Sequence, residues 1–179
     1  MTQIGTLYAQ ALYGLAQEEN TAAATMQELN ALEESFSQEP GFLRLLSSPN
    51  LSKQERCRIL DDSFRGKISR NVLNFLKLLT EKGYARHFPD CCRAFENYYN
   101  EDHGILPVTA VTAVPLTQEQ SERLADKLSA LTGKAIQLHN RVDASCLGGV
   151  RLDYDGRQVD DTVSHRLENI RNLLKNTVL

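Results

Sequence analysis

The chain has 179 residues, which fits one large domain or two small ones, and a core of that size needs no metal or disulfide. Twenty Lys and Arg residues against 23 Asp and Glu give a formal net charge of -3, which argues against binding nucleic acid through many phosphates. The mean hydropathy of -0.38, the lack of a long apolar run and the lack of a signal peptide predict a soluble, cytoplasmic protein without direct membrane insertion.

Helical periodicity dominates the first part of the chain. Apolar residues from Ile4 to Ala16 recur on one helix face, and a second helix is predicted to follow Thr21 and to stop at Pro40-Gly41. Four further helices are predicted over residues 42–46, 53–64, 68–82 and 85–102. Six helices joined by short loops are typical of a helical bundle.

The periodicity changes near residues 103–106. A strand is predicted over 106–114, then a helix that begins after Thr117 and ends at Gly133. This helix is expected to turn three leucines inward: Leu124, Leu128 and Leu131. Three more strands are predicted over 136–142, 150–154 and 157–159, followed by a helix over 162–175.

The predicted fold class is therefore α+β. An N-terminal six-helix bundle is expected over residues 1–104, followed by a small C-terminal α/β domain over residues 105–179. The element order predicted for the second domain is β-α-β-β-β-α.

The charge is distributed unevenly between these parts. Residues 1–52 contain six acidic residues and one basic residue, residues 53–105 have a net charge of +2, and residues 106–179 are neutral overall. An acidic run of this kind is usually the solvated face of a helix, and the alternative is a surface for a basic partner. An RNA-binding helical bundle would need a basic patch stronger than +2.

The motifs for catalysis and metal binding are incomplete. Cys57, Cys91, Cys92 and Cys146 form no C-x-x-C pair and are expected to be reduced. His87 and Cys91 have a spacing that could share a metal, but a cysteine on an apolar helix face is usually a small buried hydrophobe. We expect no catalytic residue, no cofactor and no metal.

Gly148 and Gly149 open a predicted strand. They lack the third glycine and the following helix of a dinucleotide-binding fingerprint, so we interpret them as a structural turn with a close backbone approach. The alternative is a small-molecule-binding or enzymatic two-domain protein with its site at this turn.

The predicted helix over residues 68–82 is apolar around nearly its whole circumference. Its apolar residues are Val72, Leu73, Phe75, Leu76, Leu78 and Leu79. Such a helix either lies in the centre of its bundle or offers a second apolar face to a partner, and periodicity leaves both readings open.

Several segments resemble the delta subunit of the F-type ATP synthase, the family of the oligomycin-sensitivity-conferring protein. Residues 8–12 (YAQAL) resemble its Y-A-x-A-L opening, and residues 74–83 resemble the N-F-L-x-L-L-x-x-x-G segment of its fifth helix, with Tyr84 where arginine is usual. Residues 108–116, 142–150 and 159–167 resemble three further segments, among them V-D-x-S-L-I-G-G-V. The order of the segments and the total length make the resemblance specific.

The resemblance implies a non-catalytic subunit of the peripheral stalk. Such a subunit links the catalytic head to the membrane-anchored b subunits, so that rotor torque is resisted during proton-driven ATP synthesis. The implied location is the cytoplasmic face of a bacterial cell membrane, as a peripheral part of a membrane complex.

The resemblance also implies where the partners bind. The N-terminal bundle would bind the N-terminal helix of an alpha subunit in a groove between the first and fifth helices, and the C-terminal domain would engage the b subunits. The residues implied for the groove are Tyr8, Ala11, Leu12 and Leu15 on one wall, and Asn74, Phe75 and Leu78 on the other.

Overall fold

The computed structural model describes residues 2–48, 50–163, 165 and 167. The chain divides into two compact units, Met1–Tyr99 and Asn100–Leu179. The first is helical and the second contains a mixed sheet, which confirms the predicted α+β class. Among the described residues, no helix combines the length and the apolar character needed to cross a membrane.

Six α-helices occupy the described residues up to 102. They are α1 (Gln3–Glu18), α2 (Ala22–Gln38), α3 (Pro40–Leu46), α4 (Lys53–Phe64), α5 (Arg70–Glu81) and α6 (Phe88–Asp102), with a 3-10 turn over Ala85–His87. Three helices begin at other residues than predicted. The predicted start of the sixth helix at Ala85 forms the 3-10 turn, and α6 begins at Phe88. Pro40 lies in the first turn of α3, where its fixed φ is favourable, and α5 begins at Arg70 because Ser69 is its N-cap.

A cluster of phenylalanines joins four of these helices. Phe36 on α2 is 4% exposed, and its ring centroid lies 5.4 Å from Phe42 on α3, 6.0 Å from Phe64 on α4 and 5.1 Å from Phe88 on α6. Aromatic pairs of this geometry contribute about 0.5–1.5 kcal/mol each beyond their buried area. The cluster therefore fixes α2, α3, α4 and α6 together and contains no aromatic residue of α1 or α5.

The second unit is organised around a four-stranded sheet. Its elements are β1 (Ile105–Thr112), α7 (Gln118–Thr132), β2 (Ala135–Val142), β3 (Val150–Tyr154) and β4 (Arg157–Asp160). The strand order is β2-β1-β3-β4, with β1 parallel to β2 and antiparallel to β3, and β3 antiparallel to β4. A parallel pair requires a crossover connection, which α7 supplies. Of the helix predicted over 162–175, residues 163, 165 and 167 are described as helical, and the others lie outside the described residues.

The signals at the two ends of α7 agree with the structure, whereas some predictions of buried side chains do not: Val163 and Leu167, which helical periodicity predicts to be buried, are 43% and 54% exposed. Thr117 forms a capping box with Gln120, and Gly133 caps α7 at φ +69°. The prediction that Leu131 faces inward was wrong, because its side chain is 83% exposed. Periodicity identifies side chains that share a helix face, but it does not reveal whether the last turn of that helix is covered.

Candidate partner-binding groove

A groove of about 220 Å³ lies between α1 and α5. Its lining residues are Tyr8, Ala11, Leu12, Leu15, Asn71, Asn74, Phe75 and Leu78. All seven residues that the resemblance implied are brought together here, and their role in binding stays a prediction. Asn71 is the lining residue that sequence reasoning missed, although it precedes Asn74 by one helical turn and shares its face.

The groove has a buried floor and an exposed apolar rim. Leu12 and Phe75 are 5% and 6% exposed, so they belong to the core as much as to the groove. Leu15 and Leu78 keep 40% and 41% of their surface exposed, and Ala11 is also exposed. Covering the two leucine side chains with an apolar partner would gain roughly 0.6–1.2 kcal/mol each.

The apolar residues of α5 divide between the two roles that the sequence left open. Five of them are at most 8% exposed and belong to the core: Val72, Leu73, Phe75, Leu76 and Leu79. Leu78 alone among the six is exposed. The unusual apolar content of α5 is therefore explained mainly by the core, and Leu78 provides the surface that a partner could cover.

The first turn of α1 is held against α6. The Thr2 hydroxyl donates a hydrogen bond of 2.9 Å to Asp90 Oδ2, and the same hydroxyl oxygen accepts from the backbone N–H of Gly5. The hydrogen bond from Thr2 lowers the pKa of Asp90. A Cβ on Gly5 would lie 2.8 Å from the Cβ of Asp90, so glycine permits this close packing. These contacts fix the α1 wall of the groove.

The first turn of α5 is held by α2. Ser69 caps α5, and its backbone N–H and hydroxyl donate hydrogen bonds of 3.0 Å and 2.7 Å to Glu28 Oε2. A carboxylate at this position also interacts favourably with the positive end of the helix dipole. The α5 wall is therefore positioned by a residue 41 places earlier in the chain.

A side-chain contact connects the two walls at each end of the groove. The ring centroids of Tyr8 and Tyr84 lie 5.9 Å apart in an edge-to-face arrangement. Toward the other end, Asn71 Nδ2 donates a hydrogen bond of 2.6 Å to Glu19 Oε2. The groove between these contacts runs along about two turns of each helix.

The Gly148-Gly149 turn has a structural explanation. Gly149 has a φ of +80°, and a Cβ there would collide with the backbone of Asp161 and Thr162. The backbone N–H of Val163 donates to the Gly148 carbonyl at 3.0 Å. The two glycines therefore allow the start of β3 to pack against the segment that follows β4.

His87 and Cys91, whose spacing could share a metal, have other surroundings in the structure. The described residues include no group of three or more His, Cys, Asp or Glu side chains that could hold a metal ion. The imidazole Nδ1 of His87 lies 3.9 Å from Asp90 Oδ2. The Cys91 thiol is buried, and this burial raises its pKa to about 12. Cys91 thus behaves as the small buried hydrophobe that the sequence indicated.

Comparisons with known proteins cover almost the whole chain. Residues 4–174 match the family model described as the ATP synthase delta (OSCP) subunit. The ATP synthase subunit delta of Chlorobium chlorochromatii is 31% identical over 167 residues, 93% of each chain, and that of Clostridioides difficile is 30% identical over 176 residues, 98% and 97% of the two chains. The ATP synthase subunit delta of Lactobacillus gasseri is 33% identical over 173 residues, 96% and 94% of the two chains.

A solved structure shares the fold over the full length. A chain in the cryo-EM structure of the Toxoplasma gondii mitochondrial ATP synthase hexamer superposes with a TM-score of 0.77 at 18% identity, covering 97% of this chain and 98% of that one. The family match and the curated relatives together show that this chain belongs to the ATP synthase delta (OSCP) subunit family, whose members are structural stator subunits and not catalysts.

Proposed function

We propose that this chain joins the catalytic head of an ATP synthase to the membrane-anchored b subunits of the peripheral stalk. The six helices act as a bundle that binds the N-terminal helix of an alpha subunit in the groove between α1 and α5. The second unit engages the b subunits. At this position, on the cytoplasmic face of a bacterial cell membrane, the chain resists the torque of the rotor.

One observation supports the assignment of the groove. Residues implied by the family resemblance come from two helices far apart in the sequence, yet they line one groove with a buried floor and an exposed rim. An amphipathic helix binds such a groove by inserting apolar side chains spaced at i, i+3, i+4 and i+7. The small side chain of Ala11 lets the backbone of a bound helix approach closely.

The family membership favours this function over a small-molecule-binding or enzymatic protein. That alternative placed its site at the Gly148-Gly149 turn, and the contact of Gly149 with Asp161 and Thr162 accounts for the turn without a ligand. Among the described residues we find no feature that favours the alternative.

Replacing Ala11 by tryptophan tests the groove. The indole would fill the space between α1 and α5, so the affinity of the full chain for a peptide of the alpha-subunit N-terminus should fall at least about tenfold, or 1.4 kcal/mol. The helical circular dichroism spectrum should not change, because Ala11 is exposed. Binding is measured by isothermal titration calorimetry.

The matched control is Ala31→Trp, which adds the same side chain at an exposed position of α2 away from the groove. This variant should bind the peptide like the wild type. Equal affinities of the Ala11 variant and the wild type would refute the groove assignment. Recovery of the head and the b subunits with the tagged full chain from native membranes tests the wider role in the stalk.

A further inference from the structure

We propose that the helix bound in the groove carries a lysine or arginine just beyond its apolar face, and that Glu19 and Glu28 bind this cation in an adjoining cavity. The inference rests on the proposed function and specifies the chemistry of the bound helix. According to this inference, the groove selects an amphipathic helix that carries a basic residue near one end over an apolar helix that lacks one.

A second cavity lies beside the Leu15 end of the groove and shares the lining residue Asn71 with it. This cavity has a volume of about 320 Å³. Its lining residues are Glu19, Thr21, Ala24, Thr25, Glu28, Ser69, Arg70 and Asn71. Because Asn71 lines both spaces, a bound helix that extends beyond Leu15 passes over the hydrogen bond between Asn71 and Glu19, and a long side chain on its next turn reaches the cavity.

The dimensions set the place of the basic residue on the bound helix. The α1 wall from Tyr8 to Leu15 rises about 10 Å, which is two helical turns. A bound helix therefore inserts apolar residues at i, i+3 or i+4, and i+7 into the groove. A residue one turn further, near i+11, lies at the cavity and belongs to the same face.

The two carboxylates of this cavity, Glu19 and Glu28, are held by hydrogen bonds but are not paired with a cation among the described residues. Glu19 and Glu28 each accept hydrogen bonds through Oε2, from Asn71 and from Ser69. Within the described part of the chain, neither carboxylate forms an ion pair, and neither Oε1 atom accepts a hydrogen bond. Arg70 lines the cavity but pairs with neither carboxylate. A cation brought by the partner therefore finds acceptors already in place.

The α1 side of the cavity adds to the negative potential, and Arg70 is the one positive side chain among the described lining residues. Glu18 and Glu19 end α1 and follow it, where the helix dipole is negative, and the last turn of α1 contains no basic residue. Residues 1–52 contain a single basic residue, Arg44, which lies on α3. This charge distribution complements a basic side chain and disfavours an acidic one. Ala24 and Thr21 also offer contacts for the aliphatic stem of lysine or arginine.

The double substitution Glu19→Gln and Glu28→Gln in the full chain tests the proposal. Glutamine keeps an acceptor for Asn71 and Ser69, so the fold is retained while both charges are lost. The affinity for a peptide of about the first 25 residues of the alpha subunit should fall roughly three- to tenfold at low ionic strength. Its dependence on salt should also weaken, because an exposed charge pair is screened.

The matched control is Glu34→Gln with Glu39→Gln, which changes the net charge equally at exposed positions outside both cavities. This variant should bind like the wild type. Peptides in which each lysine or arginine is replaced in turn by glutamine identify the partner residue. One such replacement should weaken binding to the wild type and have no effect on the Glu19/Glu28 variant.

The outcomes separate this inference from the proposed function. If Ala11→Trp weakens binding while the Glu19/Glu28 variant binds like the wild type, the cation site is wrong and the groove remains. Equal losses in both charge variants would indicate a general effect of net charge and would also overturn the cation site. If the wild type does not bind the peptide, the proposed function fails and the inference fails with it.

Discussion

Replacing Gly5 by alanine should destabilise the first unit, although the same replacement inside a helix usually stabilises it by about 0.5–1 kcal/mol. The added Cβ would lie 2.8 Å from Asp90 Cβ and 3.1–3.2 Å from the carbonyl carbon and oxygen of Asp90. Two of these atoms belong to the backbone and cannot rotate away, so α1 must move away from α6. Overpacking of this kind costs about 1–3 kcal/mol.

The movement also lengthens the hydrogen bond from Thr2 to Asp90, so we expect a net loss of about 1–2 kcal/mol. For a unit of this size, that loss corresponds to a fall in Tm of roughly 4–15 °C. Thermal unfolding can be followed by tyrosine fluorescence, because most tyrosines belong to the first unit. Five of the six tyrosines lie there: Tyr8, Tyr13, Tyr84, Tyr98 and Tyr99.

Gly14→Ala is the matched control on the same helix. A Cβ at Gly14 would meet no atom within 4 Å, so this variant should gain about 0.5–1 kcal/mol. The two replacements are chemically identical and are expected to have opposite signs. If the Gly5 variant is as stable as the Gly14 variant, α1 does not pack against Asp90 as closely as described, and the reasoning is refuted.

Two other predictions concern Asp90 and Gly149. The pKa of Asp90 is lowered in the folded state, so its stabilising contribution is complete above the ordinary pKa and is lost as the pH falls through the folded value. The Tm of Asp90→Asn should therefore fall less than that of the wild type between about pH 5 and pH 2, and equal falls would count against the contact with Thr2. Gly149→Ala should destabilise the second unit by about 2 kcal/mol or more in a urea titration, because it combines a positive φ with a collision. Gly156 also has a positive φ, but a Cβ there would meet no atom within 4 Å, so Gly156→Ala should lower the free energy of unfolding by less.

The elements of the fold were predictable because their signals are local. A capping box such as Ser52 with Glu55 favours a helix start through residues only three positions apart, and the observed α4 begins there. The Asp155-Gly156 turn likewise depends on two residues that tolerate positive φ, and both have it. Hydrophobic periodicity located the helices for the same reason.

The arrangement that forms the groove was not predictable from such signals. Periodicity showed only that α5 has excess apolar surface, and the seven groove residues came from the family resemblance. The contacts that place the two walls join residues far apart in the chain, such as Thr2 with Asp90 and Glu28 with Ser69. These contacts depend on helix packing in three dimensions, which no single segment of the sequence encodes.

The anchoring of α1 and α5 has a mechanical consequence for a stator. Each groove wall is tied at its first turn to a different neighbour, α1 to α6 through Asp90 and α5 to α2 through Glu28. If a partner helix binds the groove as proposed, a pull on that helix is passed to α2 and α6, which the contact between Phe36 and Phe88 joins to each other. In that case the load is shared by four helices, and neither wall can separate from the unit without first breaking its hydrogen bond to Asp90 or Glu28.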